Sequence, residues 1–468
     1  MTSKKWGGRA LAASLLATAL GACDFISVTE RNPNTVPEAS VDQLLVGTQV
    51  NAFFFAENNL ARMAAIWTQQ LAGTDRQFSL LDTYILKESD VDEEFSQLYT
   101  GGGLIDIRQG IGLAEAAGLK VYAGIFRVLE GYLMGQGASI WGDLPYTQAV
   151  NVDEFPQPAL DKQEAVYAAV QTVLDQAIAD LTAGGGRSPG VSDLVFNGSA
   201  ARWAQVAWTL KARYYLHWVE AQRSSNAAAR TAAQTACGGN CIDKAMAAVE
   251  KGINSNAANF LAVHGSAATS NNVWYQFFNE RSGYTAAGNY LVELLKGRDD
   301  PRLAVYFVAT DDGFIGSAPG ENNSGASAVN LAPDAAQPIA TCAENQFILA
   351  ETHYYAGHVA PAQQALAAGV ACEAARLGVT LTVDNTLTGE ALLREIMTQK
   401  YIALFLNLEA WNDYKRTCLP AVTTYQGRSI LRRFFYGQGE RTTNKSIPGP
   451  NEQPAFNTND PAGCSAGA

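Results

Sequence analysis

Catalytic signatures are what this chain lacks most plainly. It has no Gly-x-Ser-x-Gly elbow, no Walker loop, no His-Glu-x-x-His helix and no dinucleotide glycine fingerprint, which removes the commonest hydrolase, nucleotide and zinc-protease chemistries. Histidine is scarce: His217, His264, His353 and His358 show no metal-binding spacing relative to the cysteines. His353 and His358 stand five apart, the wrong step for a shared helical face. We expect no metal and no cofactor. Positive charge is short as well, with 33 Lys and Arg against 45 Asp and Glu and a net charge of −12. Such a surface repels phosphate backbones and anionic headgroups, which argues against a nucleic-acid partner. Regularly alternating strands are missing, leaving a mainly α class. The apolar run Ala10 to Leu20 is too short to span a bilayer as a permanent helix.

That run belongs to the most informative feature present. Lys4, Lys5 and Arg9 give a positive start, Ala10 to Leu20 an apolar core, and Leu20-Gly21-Ala22-Cys23 a small-residue cleavage site ending in cysteine. Residues 1–22 therefore read as a lipoprotein signal peptide, Cys23 as the lipidated residue, and residues 23–40, with Asn32-Pro33-Asn34 and Pro37, as a lipid-anchored tether. Cleavage removes the three leader cations, so 30 basic residues face 45 acidic ones for a net −15. Membrane attachment must then come from acyl chains, not a basic patch.

Cysteine usage fits an oxidising compartment. Six cysteines remain after Cys23, an even number. Cys237 and Cys241 flank Gly238-Gly239-Asn240, a turn that keeps their Cα atoms within bridging reach. Cys342 with Cys372 and Cys418 with Cys464 are suggested by sequence order alone, among fifteen possible connectivities.

Helical periodicity is clear in several places. Val166, Val170, Val173, Leu174, Ala177, Ile178 and Leu181 fall three and four apart, preceded by Asp161 and Glu164 at capping-box spacing and followed by Gly184-Gly185-Gly186. Trp203, Val206, Ala207, Leu210, Tyr214 and Trp218 repeat the pattern after Ser199, as do Leu393, Ile396, Met397, Lys400, Leu404 and Phe405. Runs near 105–138, 242–252, 287–297 and 345–356 read as helical too. With 47% hydrophobic residues, residues 41–468 can form one large domain. Between helices lie long irregular stretches, 311–341 and 437–468, of the kind that is usually functional or disordered.

Two segments have the composition of a ligand surface: aromatics, amides and a few charges on loops. One runs from Trp67 through Gln69, Gln70, Asp75, Arg76 and Phe78 to Tyr84. The other runs from Asn271 through Trp274, Tyr275 and Arg281 to Tyr284. The expected contacts are Trp67, Gln70, Asp75, Arg76, Trp274, Tyr275, Arg281 and Tyr284. The carboxylate run Asp90-Val91-Asp92-Glu93-Glu94 reads as an acidic helix start, because neighbouring residues fan around a helix and do not converge as a catalytic pair. No catalytic residue is assigned.

Three motifs, in order, resemble the SusD/RagB family of outer-membrane nutrient-binding lipoproteins. They are Gly131-Tyr132-Leu133 through Trp141-Gly142-Asp143-Leu144-Pro145-Tyr146, then Asp300-Pro301-Arg302-Leu303, then Gln399-Lys400-Tyr401 through Glu409-Ala410-Trp411-Asn412-Asp413-Tyr414-Lys415-Arg416. Trp141 stands where the family commonly has tyrosine. The first motif reads physically as a helix terminator, and Lys400, Glu409, Asp413 and Arg416 as a partly buried ion-pair network. The resemblance implies an α-α superhelix of tetratricopeptide-like helix pairs packed against an irregular, loop-rich region. It also implies a cell-surface, outer-membrane lipoprotein that binds an oligosaccharide, or a similar oligomer such as a peptide, and delivers it to a TonB-dependent, SusC-like channel. The rivals are a lipid-anchored hydrolase using a carboxylate pair and a scaffold that binds no nutrient.

Overall fold

The computed structural model describes residues 39–460, so the leader, Cys23, most of the tether and Cys464, the expected mate of Cys418, lie outside it. The described chain is mainly helical. Its helices pack in series: Leu104–Ala116 on Lys120–Trp141, that on Gln163–Ala183, then Ala200–Leu216, Cys241–Val249, Cys342–Tyr355 and Val359–Leu377. Ala227–Cys237 lies against Gln163–Ala183, and Gly389–Ala403 against Cys342–Tyr355. This is the tetratricopeptide-like superhelix that the resemblance implied.

Glycine sets how closely two of these helices approach. Gly124 and Gly131 sit two turns apart on the Lys120–Trp141 helix, and a Cβ on either would stand 2.6 Å from Leu181 or Leu174 respectively. Because 124 meets 181 and 131 meets 174, the two helices run antiparallel. Each glycine costs about 1 kcal/mol of helix propensity. Buried leucines seated in the space it leaves offset that cost, about 1.5–3 kcal/mol each on full burial. The region 105–138, read as one helical run, is broken in two at Ala117 to Leu119. Gly118 there takes φ +67° and Leu119 N–H donates to Ala114 O, so the chain folds back as a hairpin.

The family-like turn after Trp141 is structural. Gly142, at φ +76°, ends the helix. Asp143 then accepts from the backbone N–H of Gln163 and from Lys162 Nζ, both at 2.9 Å. The expected Asp161 cap is not used at the Gln163–Ala183 helix: Lys162 is the N-cap residue, and Asp161 accepts instead from Tyr146 and Thr147. Trp141 Nε1 donates to Phe435 O and Tyr146 OH to Glu130.

The late motif forms a network more deeply buried than expected. Lys400 Nζ meets Asp413 at 2.9 Å, and Arg416 joins Asp413 to Glu351. Glu409 accepts from His217 Nε2 at 2.9 Å and lies 3.9 Å from Arg213, which is bidentate to Glu344. Burial pushes the Glu409 carboxyl up, but Arg213 and His217 outweigh it and hold it far below its ordinary range. Arg302, likewise buried, is clasped by Asp300 and Gln399.

Disulfides join Cys237 to Cys241 and Cys342 to Cys372, with Cα separations of 5.3 and 5.8 Å. Two short antiparallel sheets fasten the irregular region to the helices. Leu71–Gly73 (β1) pairs with Thr285–Ala287 (β3), and Phe260–Ala262 (β2) with Gln337–Ala340 (β4). Among the described residues no helix is long and apolar enough to cross a membrane.

Candidate ligand-binding face

The two aromatic segments singled out in the sequence meet. Strands β1 and β3 lie at their adjoining ends, in the register Leu71↔Ala287, Ala72↔Ala286 and Gly73↔Thr285. Beyond the ladder, Thr74 N–H donates to Tyr284 O at 3.0 Å and Thr74 Oγ1 to Gly283 O at 2.7 Å. Phe78 packs against Phe277 and Tyr284, with centroids 5.2 and 6.3 Å apart. A third segment joins them, because Asn323 N–H donates to Thr74 O at 2.9 Å. The long irregular stretch 311–341 is therefore part of this face.

Burial divides the expected contacts. Trp67, Gln70 and Trp274 are wholly buried and hold the frame instead of facing a ligand. Trp67 closes the Asn59–Trp67 helix, stacks on Phe434 at 4.8 Å, lies 5.9 Å from Trp411 and donates its indole N–H to Leu81 O. Gln70 donates to Tyr401 O and Leu404 O and accepts from Leu406 N–H, spending its amide on backbone. Trp274 stacks on Phe278 at 5.7 Å, beneath the Arg62 guanidinium. Tyr275 is half-buried on the same helix, its N–H taken by Asn272. Asp75 and Tyr284 are half-buried, and Arg76 and Arg281 are exposed. These four and the Tyr275 side chain, with exposed Gln77, remain available at the surface.

Residues that were not anticipated complete the face. Asp82 accepts from Gly73 N–H at 3.0 Å and from Gly320 N–H, so one carboxylate clasps β1 to the 311–341 stretch. Burial raises its pKa to about 6, against the pull of those two N–H groups. Gly320 leaves room for the Tyr425 ring, since a Cβ there would stand 2.3 Å from it. Arg428 lies 5.3 Å from that ring and donates to Thr83 O at 3.2 Å. Gln426 Nε2 donates to Tyr425 OH at 3.1 Å. The sequence signal was available: Tyr425-Gln426-Gly427-Arg428 has the same mix of aromatic, amide, glycine and cation as the two segments chosen. Beside the face, a cavity of ≈ 280 Å³ is lined by Asn59, Gln77, Leu80, Leu81, Ile85, Lys87 and Asp90.

Backbone strain concentrates here. Gln69, Arg76, Tyr84, Asn323 and Gln426 all hold positive φ, between 48° and 62°. Non-glycine residues rarely adopt that conformation, and held outliers gather at functional sites. The acidic run, by contrast, is occupied structurally. Asp90 accepts from Lys87 N–H at 2.8 Å, Asp92 accepts from Gly439 N–H, and Glu94 is buried, its pKa pushed up to about 7. No group of three or more His, Cys, Asp or Glu among the described residues is arranged to hold a metal.

The chain belongs to the SusD-like family described as starch-binding and associating with the outer membrane, whose model matches residues 33–437. Solved structures share its fold. A chitin-binding protein superposes with a TM-score of 0.74 at 19% identity, covering 90% of this chain and 100% of its own. A chitin-binding SusD homologue from Flavobacterium johnsoniae gives 0.70 at 20% identity, with 89% and 98% covered. A SusD homologue from Bacteroides uniformis gives 0.72 at 20%, with 90% and 99% covered. No curated protein matches the chain.

Proposed function

We propose that the protein is a lipid-anchored cell-surface receptor that holds an oligosaccharide on the face formed by Asp75, Arg76, Gln77, Arg281, Tyr284, Asn323, Tyr425 and Arg428. It then passes the ligand to a TonB-dependent channel in the outer membrane. The observation that carries this reading is the gathering of exposed polar and aromatic-edged residues from four distant segments onto a rigid frame, with strained backbone at the gathering point. Tyrosine faces bury the C–H surface of a sugar ring while amides and guanidinium groups bond its hydroxyls. Two fold relatives named for chitin binding favour a glycan over a peptide. The role is binding without turnover: the carboxylates of the acidic run fan around a helix start instead of converging as a pair, and Asp92 accepts from Gly439 N–H. Anchoring through Cys23 keeps the receptor at the membrane that houses the channel.

The test is calorimetry against a panel of oligosaccharides and peptides, on wild type and on Tyr284→Ala, Tyr425→Ala and Arg428→Ala. Each variant should weaken glycan binding by about 1–3 kcal/mol and leave the melting temperature unchanged. Unaltered affinity in all three would remove this face from the reading. Sustained hydrolysis of any panel member would establish the hydrolase instead, while capture of the channel from membranes with no ligand heat would establish the scaffold.

A further inference from the structure

Two imidazoles face each other at the turn between the Cys342–Tyr355 and Val359–Leu377 helices. Five residues apart, they do not share a face of one continuous helix, but the chain is not one helix there. Gly357 takes φ +77°, its N–H donates to Tyr354 O at 3.0 Å, and His358 N–H donates to His353 O at 2.9 Å. The last turn of the first helix and the first residue of the next are thereby folded together. His353 Nδ1 lies 3.4 Å from His358 Nδ1, with the rings 5.6 Å apart and tilted by 54°. His353 is half-buried and His358 exposed.

That separation discriminates between two kinds of contact. A nitrogen-donor hydrogen bond prefers about 2.9–3.0 Å, so the two rings bond each other poorly. Two nitrogens at about 2.0–2.1 Å from a tetrahedral zinc stand about 3.3–3.4 Å apart. A right-angled pair in an octahedral or square-planar site would be nearer, at about 2.9 Å. We propose that His353 and His358 bind a zinc ion through their two Nδ1 atoms, the ion spanning the turn between the two helices.

The surroundings fit this assignment. Imidazole suits borderline transition metals, whereas calcium and magnesium require a shell of oxygens that the pair does not supply. Glu250, the C-cap residue of the Cys241–Val249 helix that packs on this one, is close enough to act electrostatically on His353. Its negative field also favours a bound cation. Two protein ligands with solvent completing the shell make a reversible site, unlike the closed four-ligand cages of structural zinc. The other histidines are engaged elsewhere, His217 with Glu409 and His264 with Glu57.

The experiment titrates zinc into the purified full-length protein near neutral pH, in competition with a chromogenic zinc indicator. One ion per chain is expected. His353→Ala and His358→Ala should each lower the affinity at least about tenfold, the scale on which lost metal-site contacts register, and Glu250→Gln should lower it less. Excess calcium should leave zinc bound, mild acid should release it, and zinc should raise the melting temperature of the wild type more than that of either alanine variant. Both histidines lie at an exposed turn, so melting in zinc-free buffer checks that the variants are folded. Wild-type affinity retained by either single alanine variant, or zinc uptake by wild type no greater than by the double variant, overturns the proposal.

Discussion

Replacing Trp67 by alanine separates frame from face. The indole is wholly buried between Phe434 and Trp411, and its N–H is the donor to Leu81 O. Truncation removes the ring and leaves a cavity that a helix end bounded by two other aromatics cannot close; the Leu81 carbonyl keeps the N–H of Tyr84 as a partner at 2.9 Å. Large aromatic deletions of this kind cost about 3–5 kcal/mol, and the lost indole hydrogen bond leaves no unpaired carbonyl to add to it. Trp67→Phe restores most of the ring and loses chiefly the hydrogen bond, for which about 0.5–1.5 kcal/mol is expected because the carbonyl keeps a second donor. Urea unfolding followed by tryptophan-independent circular dichroism measures both. Glycan affinity, taken by calorimetry on the folded fraction, should match wild type in each case. A Trp67→Ala protein as stable as wild type to within about 1 kcal/mol, yet unable to bind glycan, would refute the argument, because a surface residue with few packing partners is what gives a change that small.

Four further outcomes follow from particular residues. Gly320→Ala should displace the Tyr425 ring and force a β-carbon onto φ +82°, costing about 1–2 kcal/mol and weakening glycan binding by more than that, as calorimetry beside thermal melting will report. Asp82→Asn puts an amide donor against one of the two N–H groups that Asp82 now accepts, so hydrogen exchange in residues 315–325 should quicken. Glu409 is held below its ordinary 4.5; a depressed carboxyl contributes stability that is present above its unfolded value and lost as pH falls. Acid unfolding should therefore steepen below pH 4.5 and be shallower in Glu409→Gln, whereas Asp82, raised to about 6 from 3.8, contributes stability that is lost as pH rises through that window. Removing Cys342–Cys372, which closes a separation of 30 residues, should cost about 3.5 kcal/mol by loop entropy, and Cys237–Cys241, which closes 4, about 2 kcal/mol, by denaturant unfolding of the Cys→Ala pairs.

The helices were legible because their code is local. Val166 to Leu181 shows its buried stripe at every third and fourth position, and the structure buries Val166, Val170, Leu174, Ala177 and Leu181. The hairpin at Gly118 was not legible, since an isolated glycine within a helical pattern is tolerated at a cost of about 1 kcal/mol and does not by itself mark a break. The disulfides Cys237–Cys241 and Cys342–Cys372 were reachable from spacing and order, because short loops and successive helices bring such residues near.

The face was legible as composition but not as exposure. Trp67, Trp274 and Tyr284 all sit in amide-rich, glycine-punctuated segments, and nothing local says which aromatic turns inward. That choice is made by residues hundreds of positions away: Phe434 and Trp411 receive Trp67, and the backbone of 401–406 receives Gln70. Tryptophan is the more apolar and larger ring, so the helix ends spend it on the core, leaving tyrosine and arginine, which keep a polar end in water, to form the surface. The same logic applies to Tyr425 and Arg428, which the fold carries to Gly320 and Thr83. In an irregular region held to a helical frame, the tryptophans mark where loops are pinned, and the tyrosines and arginines beside them mark where a ligand can be met.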